Sequence, residues 1–117
     1  MSHTQFQTPI DMCHACAVEC IHCMNACLSE KDVSNMIRCI RLDFECAEIC
    51  STTAKLLASG SEFTSHVCEL CANICDECAR ECETHTDMEH CKACAEACRK
   101  CSEECRASVR VNQLEIP

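Results

Sequence analysis

CELCANICDECAREC, residues 68–82, holds five cysteines separated alternately by two and by three residues. Cys68, Cys71, Cys75, Cys78 and Cys82 therefore advance by three and four positions, the a/d rhythm that puts every one of them on the same face of an α-helix. The same step recurs at Cys13, Cys16, Cys20, Cys23 and Cys27 in CHACAVECIHCMNAC (13–27), and at Cys91, Cys94, Cys98, Cys101 and Cys105 in CKACAEACRKCSEEC (91–105). A sparser group, Cys39, Cys46 and Cys50, shares one register that Met36, Asp43, Thr53 and Leu57 complete. Four helices with inward-facing cysteine seams are predicted.

Composition supports this. Eighteen of the 117 residues are Cys, aromatics make up 3%, and Trp and Tyr are absent, so cysteine must carry part of the core. One Gly and two Pro leave few turn positions, which argues against a loop-rich disulfide scaffold and for long helices. Thr8 before Pro9 reads as an N-cap, Asp32 or Ser34 as the second, Gly60 as a C-terminal stop, Ser61 as the third start, and Thr86 with Glu89 as a capping box. The expected helices run from about 9–28, 33–58, 62–83 and 87–108, followed by a short tail from Val109 to Pro117. Short connections make neighbours antiparallel. The predicted fold is thus one all-α domain, an up-down-up-down four-helix bundle with a cysteine-lined core.

A second apolar stripe follows one position after the seam: Ala17, Ile21, Met24 and Leu28 in helix one; Val33, Ile37, Ile40, Phe44 and Ala47 in helix two. It reads either as side-wall packing or as a subunit interface centred on helix two. Lys92, Glu96, Lys100 and Glu104 form an i,i+4 ladder expected to face solvent.

The polar N-terminus has no basic start and no apolar run, so neither a secretory signal nor a membrane span is expected, and the cytosol is the expected compartment. Thiols stay reduced there, and this much cysteine reads as metal ligands. A net charge of −9 without a basic cluster is set against nucleic-acid or membrane-surface partners. No phosphate loop and no nucleophile with an orienting triad is present, so no enzyme is expected.

Residues three and four apart on a helix have Cβ atoms roughly 5–6 Å apart, close enough for two sulfurs to pinch one ion. Cys16/Cys20, Cys23/Cys27, Cys46/Cys50, Cys71/Cys75, Cys78/Cys82, Cys94/Cys98 and Cys101/Cys105 are such CxxxC pairs. Soft thiolates suit Cu(I), which accepts low coordination numbers, and one monovalent ion per thiolate keeps a buried column near neutrality. Multiple Cu(I) ions per chain, on the order of one per cysteine, imply a store. Competing readings are cysteines used only as core packing, a zinc–thiolate store built from four-thiolate layers, a disulfide-stapled helical interaction module, and an iron–sulfur or redox protein.

The two ends of the bundle differ. Phe6, Ile10, Leu56, Leu57, Phe63 and Val109 can plug one end, while Met36, His85, Met88 and His90 gather at the other. As weaker Cu(I) ligands than thiolate, Met36, His85 and His90 read as an entry relay, with surface histidines and a gap-filling methionine as the alternative. His3, His14, His22 and His66 lie out of register and read as surface residues. Asp43, the one seam carboxylate, reads as a secondary ligand or as a register-fixing hydrogen-bond acceptor.

The arrangement resembles the cytosolic copper storage proteins, four-helix bundles whose cores are lined by cysteines from all four helices. The three five-cysteine heptads, the Cys39/Cys46/Cys50 group and the expected lack of an export signal carry the resemblance, over about residues 9–108. It implies Cu(I) ligation chiefly through CxxxC pairs within a helix and a homotetramer of bundles; a copper chaperone is a candidate partner for a store of this kind.

Overall fold

A computed structural model describes residues 3–115, with side chains from 5 to 111. Four α-helices carry the chain: α1 Gln7–Leu28, α2 Ile37–Ser59, α3 Thr64–Cys82 and α4 Glu89–Glu115. Short 3₁₀ turns at His3–Phe6, Val33–Met36 and Glu83–His85 precede α1, α2 and α4. Each helix packs chiefly on two neighbours, α1 and α3 both lying against α2 and α4, in a rod of 54 × 19 × 18 Å.

The sulfur contacts report the direction of each helix. Cys13 meets Cys105, Cys20 meets Cys94 and Cys23 meets Cys91, so α1 and α4 run oppositely. Cys16 meets Cys46 and Cys27 meets Cys39 between α1 and α2, while Cys50 meets Cys71 and Cys39 meets Cys82 between α2 and α3. The bundle is antiparallel, as its short connections require.

Helix ends follow local chemistry with some differences from expectation. Gly60 adopts φ 68°, and the N–H groups of Gly60 and Ser61 close back on the carbonyls of Leu57 and Leu56, a left-handed stop that favours glycine. The Ser61 hydroxyl accepts the Phe63 N–H at 3.0 Å, and the Thr64 hydroxyl donates to the Ser61 carbonyl at 2.6 Å. At the other starts the expected caps are displaced: α1 begins at Gln7, with Thr8 and Pro9 inside its first turn, and α2 begins only after the Val33–Met36 turn. Ser34 instead donates to the Asp32 carboxylate at 2.6 Å. α4 starts at Glu89 and continues to Glu115, where a tail from Val109 was expected. No Gly or Pro interrupts 106–115, Ser108 donates to the Glu104 carbonyl, and Val109 packs against the core, so the helix has reason to continue. Residues 116 and 117 lie outside the described residues.

The plugged end is built from Phe6, Ile10 and Leu57, all buried, with Leu56 and Val109 half-buried beside them. Phe63 does not join them. It is 58% exposed, with its ring edge against His66, because the turn that opens α3 sends the buried Thr64 inward in its place. The second apolar stripe divides: Ala47 is buried and Ala17 and Ile40 are half-buried against the core, whereas Ile21, Leu28, Ile37 and Phe44 are exposed.

Because helix signals, stop and side-wall residues are all independent of any ion, the reduced metal-free protein should be strongly helical by circular dichroism. A coil-like spectrum would instead make the cargo a folding cofactor, as zinc is for a zinc finger.

Candidate metal centre

All 18 cysteines are free and fully buried. Within helices the Sγ–Sγ separation is 3.9 Å for Cys16/Cys20, Cys23/Cys27 and Cys71/Cys75, and 4.0 Å for Cys46/Cys50 and Cys94/Cys98. Between helices it is as short: 3.6 Å for Cys46/Cys75, 3.7 Å for Cys39/Cys82 and 3.8 Å for Cys16/Cys46. These are contacts, far above the roughly 2.05 Å of a sulfur–sulfur bond. The diagonal is also bridged, since Cys46 reaches Cys98 at 3.9 Å and Cys50 reaches Cys101 at 3.7 Å. The neighbouring Cys105 and burial push the Cys68 thiol, at the plugged end, well above its ordinary value.

The sulfurs group into quartets whose ligand atoms all lie within 4.8 Å of one another. They include Cys13/Cys71/Cys101/Cys105, Cys16/Cys46/Cys50/Cys75, Cys16/Cys20/Cys46/Cys98 and Cys20/Cys78/Cys94/Cys98. Cys16, Cys20, Cys46 and Cys98 each belong to more than one. Three of these quartets therefore share corners and form a continuous network in the middle of the column. Such a network suits ions linked by bridging thiolates, whereas isolated tetrahedral sites would use each sulfur once.

Asp43 sits inside this column with no exposed surface. Its Oδ1 accepts from Cys78 at 3.2 Å and Cys94 at 3.4 Å, with Cys82 at 3.9 Å, and its Oδ2 faces Cys39 at 3.8 Å. Burial pushes its carboxyl up to about 11, so it is neutral in the metal-free protein. Both sequence readings of Asp43, secondary ligand and hydrogen-bond acceptor, are compatible with this position. Thr53, also in the α2 seam, is buried with its hydroxyl unpartnered among the described residues.

At the other end the relay residues separate. His90 places Nδ1 3.5 Å from Cys23 and from Cys91 and 3.9 Å from Cys27, completing a Cys23/Cys27/His90/Cys91 quartet. Its Nε2 lies 3.1 Å from the Glu30 carboxylate. Burial raises the Cys91 thiol to about 12, and raises Cys27 as well, so ion binding here displaces protons. Met36 is buried in the core and Met88 half-buried against it. His85 is turned away: its Nε2 bonds Glu81 at 3.0 Å, Glu81 also meets Arg38 at 3.4 Å, and among the described residues no thiol is hydrogen-bonded to the His85 ring. His14, His22 and His66 are exposed as read, and the His3 side chain lies outside those described. Glu30 belongs to no motif and could not have been found by spacing.

Comparisons with known proteins agree with this geometry. The family model described as copper storage protein matches residues 2–110. An uncharacterized cysteine-rich protein of Bacillus subtilis (strain 168), YhjQ, is 45% identical over 59 residues, 50% of this chain and 55% of that protein. The match thus spans about half the length of that curated relative. Among solved structures, the Cu(I)-bound copper storage protein BsCsp3 superposes with a TM-score of 0.84 at 43% identity, covering 88% of this chain and 96% of that one. A cytosolic copper storage protein from Streptomyces lividans, studied with five coppers, gives a TM-score of 0.88 at 38% identity, covering 92% and 94%. The copper storage protein Ccsp from the same organism, loaded with 10 copper equivalents, gives 0.87 at 39% identity, covering 90% and 83%.

Proposed function

The chain belongs to the copper storage protein family, and on that basis we propose that it stores and detoxifies Cu(I) by holding many ions on bridging core thiolates. The observation that carries this is the corner-sharing of the sulfur quartets. A bridging thiolate neutralises charge from both sides, and a monovalent ion satisfied by two or three sulfurs fits a column in which each sulfur has neighbours above, below and across. A zinc store of separate closed tetrahedra would use each sulfur once. Anaerobic titration of the reduced protein with Cu(I) against a competing chelator tests the proposal through its capacity.

All 18 cysteines are the proposed ligands, with Met36, Asp43, His85 and His90 as supplementary ones. His90 is the best supported of these by its contacts, and His85 the least. The storage role of the family is not a catalytic one. A cytosolic setting is proposed because it keeps the thiols reduced; among the described residues no helix is long and apolar enough to cross a membrane. The exposed Ile21, Leu28, Ile37 and Phe44 support association of bundles into the homotetramer, and a copper chaperone is the proposed delivery partner.

Ions are proposed to enter past His90 and Met36, since the opposite end is filled by Phe6, Ile10 and Leu57. Replacing His85 and His90 together with leucine should slow uptake from a Cu(I) chelate in stopped flow, with final capacity close to the parent because the thiolates remain. His90→Leu alone should account for most of the slowing. Equal loading rates in the double variant and the parent would place the entrance elsewhere.

A further inference from the structure

The entry route rests on one imidazole, and what holds that imidazole is a residue from a different element. α1 ends at Leu28, and the turn that follows, with Ser29 and Glu30 donating their N–H groups to the carbonyls of Ala26 and Cys27, carries the Glu30 carboxylate to α4. There Glu30 Oε1 lies 3.1 Å from His90 Nε2, the His90 side chain being 13% exposed and that of Glu30 34%. A carboxylate can only accept, so the ring nitrogen facing it must carry the proton. In the neutral ring the other nitrogen, Nδ1, then presents its bare lone pair to Cys23, Cys27 and Cys91.

The second histidine of this end gives the contrast. His85 also sets Nε2 against a carboxylate, but Glu81 divides its charge between His85 and Arg38, tying α3 to α2. Among the described residues Glu30 pairs with His90 and with no other cationic side chain. Its charge is therefore undivided, and it acts on the one ring that touches sulfur.

We infer that Glu30 is the positioning residue of the entrance: it fixes His90 in the Nε2–H tautomer, so that the first incoming Cu(I) meets a preoriented Nδ1 donor beside three sulfurs. The inference deepens the proposed entry route and rests on it. A carboxylate behind a metal-binding histidine fixes its tautomer and orientation, and loss of such a partner typically costs about 10- to 100-fold in metal affinity or activity. Nothing in this role touches the interior quartets, so capacity is unaffected.

The test uses the full-length, reduced chain, ¹⁵N-labelled and metal-free, with three variants: Glu30→Leu, Glu30→Gln and His90→Leu. Long-range ¹H–¹⁵N spectra of the parent should show His90 as a single tautomer protonated on Nε2. Glu30→Leu should show a tautomer mixture, and Glu30→Gln, whose amide oxygen still accepts, should restore most of the parent pattern. In stopped flow with the bis-bicinchoninate Cu(I) complex below one equivalent, Glu30→Leu should load about tenfold more slowly than the parent, with Glu30→Gln between them, and a separate titration with excess Cu(I) should give all three the same final capacity. A single Nε2–H tautomer in Glu30→Leu, or a loading rate within twofold of the parent, would overturn the inference. If His90→Leu loads as fast as the parent, the entry route itself fails, while the metal-free spectra still decide whether Glu30 holds the ring.

Discussion

Reduced, metal-free protein titrated anaerobically with Cu(I) is expected to saturate at close to one ion per cysteine, on the order of 18 per chain by charge balance. Eighteen thiolates excluded from water cannot coexist without compensating cations, and a monovalent ion supplies one charge per sulfur. If each ion takes two sulfurs and each sulfur serves two ions, the ratio reaches unity, and Cys16, Cys20, Cys46 and Cys98 already sit where two quartets meet. Uptake should release protons, because burial holds thiols such as Cys91 and Cys27 in their protonated form. Replacement of Cys46 by serine should remove more than one ion, since it takes a corner from two quartets. Saturation at about four ions, with a tetrahedral Co(II) spectrum on substitution, would return the core to zinc.

Asp43→Asn should stabilise the metal-free bundle, by an amount that grows with pH. Unfolded, this carboxyl ionises around 3.8; folded, burial holds it protonated up to about 11. Between those values the unfolded chain has released a proton that the folded chain must keep. Stability contributed by the neutral carboxyl is therefore whole below pH 3.8 and is lost steadily as pH rises, by about 1.4 kcal/mol per pH unit. At pH 7 the accumulated loss is on the order of 4 kcal/mol. Asparagine keeps the carbonyl acceptor for Cys78 and Cys94 without an ionisable proton. Denaturant unfolding of the two proteins from pH 4 to 7, below the range where unfolded thiols titrate, should show curves that coincide near pH 4 and diverge above it. Parallel curves across that range would mean that Asp43 is ionised in the fold.

The cysteine seams were legible because a three-four step permits one backbone geometry, and each seam cysteine of 13–27, 68–82 and 91–105 is buried accordingly. The α2 register was legible for the same reason, including Asp43. What was not legible depends on partners rather than periods. Phe63 reads as a plug from its apolarity, but the Ser61 hydroxyl two residues before it, which accepts its N–H, sets the turn that directs it outward. Ile21, Leu28, Ile37 and Phe44 read first as side wall and second as interface, because hydrophobicity does not name what covers it. His85 and His90 look alike in sequence; Glu81 with Arg38 claims one, and Glu30 presents the other to sulfur.

The seam also sets how a protein of this plan could change its storage size. Each heptad of a fully substituted helix contributes two sulfurs over a rise of about 10 Å, so a four-helix rod lengthened by one heptad per helix would gain eight. Capacity is then a property of rod length, adjustable in increments without altering topology, ends or entrance. The α2 seam marks the unused part of that scale: Thr53, buried with an idle hydroxyl between Cys50 and Leu57, occupies a place where a sulfur would enlarge the reservoir with no added length.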